Sequence, residues 1–197
     1  MDDLAQMLRG ILTREGFDRP VLVGQSMGGY VAQAYLDLYP GEATGFVSID
    51  SCPLKRSYYT AAELWALKHM RGIFRMIPWG MLSRLAAEGV ATSKRGQAIM
   101  REMVDSFARD EYIDLAAHGY RVLADAVEEG RRYELRCPTL LICGEKDGAG
   151  SAKRYNRVWA QKEGLAIEWI EGAGHNSNTD NPARVNELIE RFVSKAV

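Results

Sequence analysis

The stretch VLVGQSMGG, residues Val21 to Gly29, places one serine between glycines where an apolar strand gives way to a helix. The first three residues predict a short buried strand, and the residues from Gly28 to Tyr39 predict a helix. A turn this tight strains the backbone of its central residue, Ser26, and calls for small residues beside it. The rest of the chain must therefore support a strand that ends directly at a helix.

Three more segments have the length and apolar character of strands: Gly45–Asp50, Thr139–Cys143 and Ala166–Ile170. Helical patterns alternate with them, from Leu4 to Leu12, from about Ser151, and from about Pro182 onward. Short apolar strands that alternate with helices are typical of a parallel sheet covered on both faces. We therefore expect an α/β fold with about four parallel strands flanked by helices.

The middle of the chain predicts helices and no strand. Thr60 and Glu63 match a capping box, and further helical patterns lie near residues 79–87, 93–108 and 111–129. We expect residues 1–52 and 137–197 to form the α/β core. Residues 53–136, called the insertion below, are then expected to form a helical cap. Most of six aromatic residues in the insertion are expected to form a helical core, and some of them an apolar pocket: Trp65, Phe74, Trp79, Phe107, Tyr112 and Tyr120.

The pattern G-x-S-x-G around Ser26, set between strand and helix, predicts a nucleophilic serine. A serine hydroxyl is a poor nucleophile unless a base accepts its proton. His175 lies in a glycine-rich loop after the last predicted strand, at the sheet edge where Ser26 is expected. His69 and His118 lie in helical patterns of the insertion, and we interpret them as structural or surface residues.

A catalytic histidine also needs a carboxylate that fixes its tautomer. Asp147 follows the third predicted strand at the same edge, and it is the preferred acid. Asp50, at the end of the second strand, is the alternative; otherwise it orders the loop that follows it. Glu145 is expected to face solvent from a tight turn.

With serine, acid and histidine in this order, the chain resembles the α/β-hydrolase superfamily, above all its capped, esterase-like bacterial members. The resemblance covers nearly the whole chain through GQSMGG, the helical insertion, CGEKD and GAGHNSN. It implies that Ser26 attacks, that His175 transfers the proton and that Asp147 orients His175. The backbone N–H of Met27 would be one donor of the oxyanion hole. The serine argues against the dehalogenase and epoxide hydrolase branches, which use an aspartate nucleophile.

One departure from the family pattern concerns the segment before the tight turn at Ser26, which is called the elbow below. In the family, several strands and a loop that begins with His-Gly come first, and that loop supplies a second oxyanion donor. The His-Gly pair of this sequence, His118-Gly119, follows the elbow and lies in a helical pattern. We therefore expect the C-terminal part of a larger hydrolase, with the elbow strand at one sheet edge and open to self-association.

The expected function is cleavage of a small to medium ester through an acyl-enzyme, without a cofactor or a metal. A thioesterase, amidase, perhydrolase or carbon–carbon bond hydrolase could use the same three residues. A protein of another class, a non-catalytic ligand-binding protein or an inactive fragment, is the alternative.

Composition limits the kinds of binding partner and the cell compartment that we expect for this protein. The formal net charge of −1 favours neither nucleic acid nor an anionic membrane surface. The first residues do not form a secretory signal, and no apolar run approaches the ~20 residues of a membrane span. Cys52, Cys137 and Cys143 lack metal-ligand spacing and fit a reducing compartment. We expect a cytoplasmic protein that binds a small ester or acyl substrate.

Overall fold

The computed structural model describes residues 1–196, and a four-stranded parallel sheet forms its centre. The strands are β1 (Val21–Gln25), β2 (Gly45–Ile49), β3 (Thr139–Gly144) and β4 (Ala166–Ile170), and they lie side by side in that order. Val23 lies opposite Val47, Val47 opposite Leu140, and Leu140 opposite Ala166. The prediction of an α/β fold with four parallel strands is confirmed.

Helices connect and cover the strands. Outside the insertion they are α1 (Asp2–Arg14), α2 (Met27–Leu38), α8 (Ala152–Glu163), α9 (Ser177–Asp180) and α10 (Pro182–Ala196). Between β2 and β3 lie α3 (Ala61–Lys68), α4 (Met70–Met76), α5 (Trp79–Glu88), α6 (Lys94–Asp105) and α7 (Arg109–Glu128). None of the helices in residues 1–196 combines the length with the apolar character that crossing a bilayer requires.

The sequence pattern predicted α3 and missed α4. The capping box before α3 forms as expected, since the Thr60 hydroxyl accepts the Glu63 N–H and Glu63 accepts the Thr60 N–H. Helix α4 contains Gly72, a weak helix former, so its local sequence gives little signal. It packs against α7, where Phe74 contacts Tyr120, and this tertiary contact supports the helix. The division into a core and a separate cap stays a prediction.

Alternate residues of the central strands face two apolar cores, as the two-residue period of a strand requires. Phe46 and Leu141 pack with residues of α2, α7 and α8 on one face. Val47, Ile142 and their neighbours pack with α10 on the other face. Both inner strands are therefore covered on both sides, which explains why they are almost continuously apolar.

The turn between β1 and α2 has the strained geometry that the sequence predicted. Ser26 has φ of 47° and ψ of −113°, in a region that residues with a side chain rarely adopt. A Cβ on Gly24 would lie 2.4 Å from the backbone of Gly28, and one on Gly29 would lie 2.5 Å from Ser51 Cβ. A Cβ on Gly28 would have no atom outside its own helix within 4 Å. Glycine is thus required at Gly24 and Gly29, because even a methyl group does not fit there. Gly28 has room for a side chain, so the expectation of small residues beside Ser26 is wrong at that position.

Substitution of Gly28 and Gly29 by alanine should therefore have opposite effects. We expect Gly29→Ala to lower the free energy of unfolding by ~1–3 kcal/mol, because the buried Ser51 side chain has to move. Gly28→Ala should be neutral or stabilising by up to ~1 kcal/mol, because alanine favours a helix over glycine. Chemical denaturation of both variants measures the difference, and equal free energies of unfolding would contradict this account of the turn.

Strand β1 lies at one edge of the sheet. It pairs with β2, and no other strand of residues 1–196 borders it on the far side. Val23, in the middle of β1, is 46% exposed, although the next strand is fully buried. Unpaired backbone groups beside an exposed apolar side chain favour pairing with another strand.

We expect the purified chain to self-associate through this edge. Light scattering after size-exclusion chromatography should give a mass that rises with protein concentration. Val23→Lys should reduce the associated fraction, because a charged residue on an edge strand opposes pairing. Met7→Lys is the matched control, since Met7 is an exposed apolar residue of α1 rather than of the strand. A monomeric mass at every concentration would contradict the expectation.

Candidate active site

Ser26, Asp147 and His175 meet at the carboxyl edge of the sheet. Ser26 follows β1, Asp147 lies in the loop after β3, and His175 lies in the loop after β4. His175 Nε2 lies 2.8 Å from Ser26 Oγ, and His175 Nδ1 lies 3.0 Å from Asp147 Oδ2. A neutral imidazole that donates from Nδ1 to Asp147 keeps Nε2 as an acceptor for the Ser26 hydroxyl. The three residues predicted from widely separated segments are therefore joined in one hydrogen-bonded chain.

Asp147, the acidic end of this series of hydrogen bonds, is buried. The Asp147 side chain has no exposed surface, and its second oxygen, Oδ1, accepts the Ala149 N–H at 2.8 Å. Burial acts to lower the pKa of His175, because it disfavours the charged imidazolium. The hydrogen bond and the charge of Asp147, together with the charge of Asp50, outweigh burial and raise the pKa above its ordinary value. The site therefore favours the imidazolium more than water does.

Gln25, the residue before Ser26, also contacts the loop after β4 that carries His175, called the histidine loop below. Its side-chain amide donates to the backbone carbonyl of His175 at 3.0 Å and to Asn176 Oδ1 at 3.2 Å. This contact links the turn that carries the serine to the loop that carries the histidine. Sequence reasoning missed it, because the variable position of the G-x-S-x-G pattern gives no signal about its partner.

Asp50, the alternative acid, has other partners. Its Oδ1 accepts the Gly144 N–H at 2.8 Å, and its Oδ2 accepts the N–H and the hydroxyl of Ser177. The ring nitrogens of His175 face Ser26 and Asp147. Glu145 is exposed and accepts the N–H of Gly172. This geometry favours Asp147 as the partner of His175.

One cluster in residues 1–196 has the spacing of metal ligands. Oxygens of Asp50 and Asp147 and the Cys143 sulfur lie within 4.8 Å of one another, and all three residues are buried. Both carboxylates already accept hydrogen bonds from neighbouring groups. Burial raises the pKa of the Cys143 thiol, which opposes the thiolate that a metal would need. These contacts account for the cluster without an ion.

Met27 is the first residue of α2, directly after Ser26. The N–H groups in the first turn of a helix have no acceptor within the helix, and the helix dipole favours negative charge there. The Met27 N–H is thus suited to an oxyanion that forms on a carbonyl attacked by Ser26.

A cavity of about 340 Å³ adjoins Ser26 and His175. Its walls are largely apolar and come from α2, the insertion and α8: Met27, Tyr30, Tyr59, Leu67, Leu123 and Tyr155. Of the six aromatic residues proposed for such a pocket, Tyr120 lines it. Trp65 is exposed and stacks on His69, and the other four make aromatic contacts within the insertion. His69 and His118 are exposed.

Comparison with known proteins agrees with this fold. Residues 1–188 match the model of a family described as the alpha/beta hydrolase family. Human monoacylglycerol lipase ABHD6 is 24% identical over 195 residues, which cover 88% of this chain and 54% of that protein. The chain spans about half the length of such curated relatives.

Solved structures of esterases are also similar. A thermophilic esterase from Thermogutta terrifontis superposes with a TM-score of 0.70 at 22% identity, covering 98% of this chain and 71% of that one. An esterase from Exiguobacterium antarcticum gives a TM-score of 0.70 at 20% identity, covering 96% and 72%. The match over residues 1–188, together with the shared fold, leads to one conclusion: the chain belongs to the alpha/beta hydrolase family.

Proposed function

We propose that this chain is a serine hydrolase that cleaves a small to medium carboxylic ester through an acyl-enzyme intermediate. The observation that carries the proposal is the hydrogen-bonded chain from Ser26 through His175 to Asp147. The strained backbone of Ser26 and the adjoining apolar cavity support it further. Several similar solved structures are described as esterases, which supports an ester over other acyl compounds.

In the first half of the reaction, Ser26 Oγ attacks the ester carbonyl while His175 Nε2 takes the hydroxyl proton. The carbonyl oxygen becomes an oxyanion, which the Met27 N–H and the α2 dipole stabilise. The bond to the alcohol then breaks, and His175 returns the proton to the leaving oxygen. Asp147 stabilises the imidazolium throughout, and the acyl group stays on Ser26.

In the second half, water takes the place of the alcohol. His175 removes a proton from the water, whose oxygen attacks the acyl carbonyl. The bond to Ser26 Oγ breaks, and the serine recovers its proton from His175. The acid leaves and the enzyme is restored, so the reaction needs no cofactor. The expectation that the loop of a larger hydrolase supplies a second oxyanion donor stays a prediction.

Labelling with a fluorophosphonate probe tests the nucleophile. We expect one adduct on Ser26, because His175 activates its hydroxyl, and no adduct in the Ser26→Ala variant. Ser93→Ala is the matched control, because Ser93 caps α6 within the insertion, and it should be labelled like the original chain. Peptide mass spectrometry locates the adduct. An adduct elsewhere, or none, would refute the proposed function and favour a non-catalytic ligand-binding protein.

The pH dependence tests the base. Only neutral His175 accepts the Ser26 proton, so labelling and ester turnover should fall as pH drops through the pKa of His175. Because that pKa is raised, half of the rate should be lost above pH ~6.5, the ordinary value for histidine. Asp147→Asn should shift this fall in rate to lower pH, since it removes the carboxylate whose hydrogen bond and charge raise the pKa of His175 most. Rates that stay constant from pH ~5 to ~8 would exclude His175 as the base.

A further inference from the structure

We propose that Asp50 is a positioning residue, which holds His175 against Asp147 and presents a second negative charge to the imidazole. The inference rests on the proposed function, because it assigns a role in the same site. The alternative acid of the sequence analysis thus gains a function that does not depend on contact with the His175 ring.

Asp50 joins the two loops that carry Asp147 and His175. Asp50 follows β2 and is 1% exposed. Its Oδ1 accepts the N–H of Gly144 at 2.8 Å, at the end of the strand that leads to Asp147. Its Oδ2 accepts the Ser177 N–H at 2.9 Å and the Ser177 hydroxyl at 2.6 Å, two residues after His175. One side chain therefore connects the loop of the acid with the loop of the base.

These two loops also have no room to move towards each other. A Cβ on Gly144 would lie 2.1 Å from the Gly174 carbonyl oxygen and 2.5 Å from that of Ala173. The backbones of β3 and the histidine loop are thus in direct contact, directly before His175. A hydrogen-bond tie on one side and backbone contact on the other fix the separation of Asp147 and His175.

The charge of Asp50 has a cost for stability and an effect on His175. Burial raises its pKa to about 6, although the hydrogen bonds from Ser177 and Gly144 act to lower it. The ionised form is therefore less stable in the fold than in the unfolded chain, so this group lowers stability as pH rises from ~4 to ~6. A neutral side chain at position 50 would avoid this loss of folding stability. The retained carboxylate raises the pKa of His175, and so stabilises the imidazolium that forms during the reaction.

Of the titratable groups around Asp50, His175 is the one whose positive charge Asp50 can stabilise. Asp147 and Cys143 face it from β3 and the loop after it, and Cys52 lies just beyond β2. Burial raises the pKa of both thiols, so both stay uncharged near neutral pH. His175 is thus the nearby cation that forms in the site, and Asp147 and Asp50 are the anions that stabilise it.

The test compares Asp50→Asn with Glu145→Gln and Asp147→Asn. Asparagine keeps the size of Asp50 but loses the charge, and its amide cannot accept from both Gly144 and Ser177. Glu145→Gln is the matched control, because Glu145 also accepts an N–H of the histidine loop, from Gly172, but is exposed. NMR measures the pKa of His175 from its ring-proton shifts against pH, with His175→Ala identifying the resonance. The fluorophosphonate labelling rate measures the reactivity of Ser26.

We expect Asp50→Asn to lower the pKa of His175, because a negative charge beside the ring is lost, and to slow labelling roughly 10–100-fold. Glu145→Gln should change the labelling rate by less than ~2-fold and leave the pKa of His175 where it was, because charges in water are screened. Asp147→Asn should cost far more, on the order of 10⁴-fold in kcat. A folded Asp50→Asn protein whose His175 titrates as before would overturn the proposal.

Failure of the proposed function can be distinguished from failure of the role proposed for Asp50. If Ser26 of the original chain is not labelled, the proposed function fails, while the NMR titration of His175 still decides the role of Asp50. If Asp50→Asn does not fold, as a thermal scan would show, Ser177→Ala replaces it. That variant keeps the charge and removes one bond of the tie, so labelling should slow by ~3-fold or more. Labelling at the original rate would then overturn the positioning role.

Discussion

Parallel pairing of the four strands brings the site together, because every parallel strand ends at the same edge of the sheet. The register sets Gln25 opposite Ile49, and Gly144 opposite Ile170. The first residues beyond β1 and β2 are Ser26 and Asp50, and the loops after β3 and β4 carry Asp147 and His175. A shift of one strand by a single residue would turn its side chains to the other face and separate these groups.

The histidine loop depends on carboxylates that sit on both sides of it. Asp50 holds Ser177 after the histidine, and Asp180 accepts the Gly174 N–H before it at 2.8 Å. Asp180 also accepts the N–H groups of Thr92 and Ser93, between α5 and α6. The loop is thereby tied to the sheet by one carboxylate and to the insertion by another. Strain at Ser26 and a raised pKa at Asp50 are costs of the same arrangement, and they concentrate where the proposed chemistry occurs.

Much of the fold follows from local pattern. Strands such as Thr139–Gly144 are short apolar runs, and the capping box at Thr60 marks the start of α3. The pattern is weak where a tertiary contact provides the stability, as at α4 with its Gly72, or where the helix has a single turn, as at α9. The spacing of the insertion's aromatic residues favoured a helical core for most of them and left a pocket open for some, because the same period serves both. Packing alone decides that Tyr120 lines the cavity and that Trp65 does not.

The sequence by itself determined the class of the fold and named Ser26 and His175, because strand and helix periods, glycines at a strained turn and residue order are local features. It also ranked Asp147 above Asp50, but both follow a parallel strand at the same edge, so residue order could not separate them. The tertiary structure gives the two carboxylates different hydrogen-bond partners: Asp147 bonds to the His175 ring, and Asp50 bonds to Gly144 and Ser177. It likewise decided the partner of Gln25 and the glycine that contacts Ser51, because both depend on atoms distant along the chain.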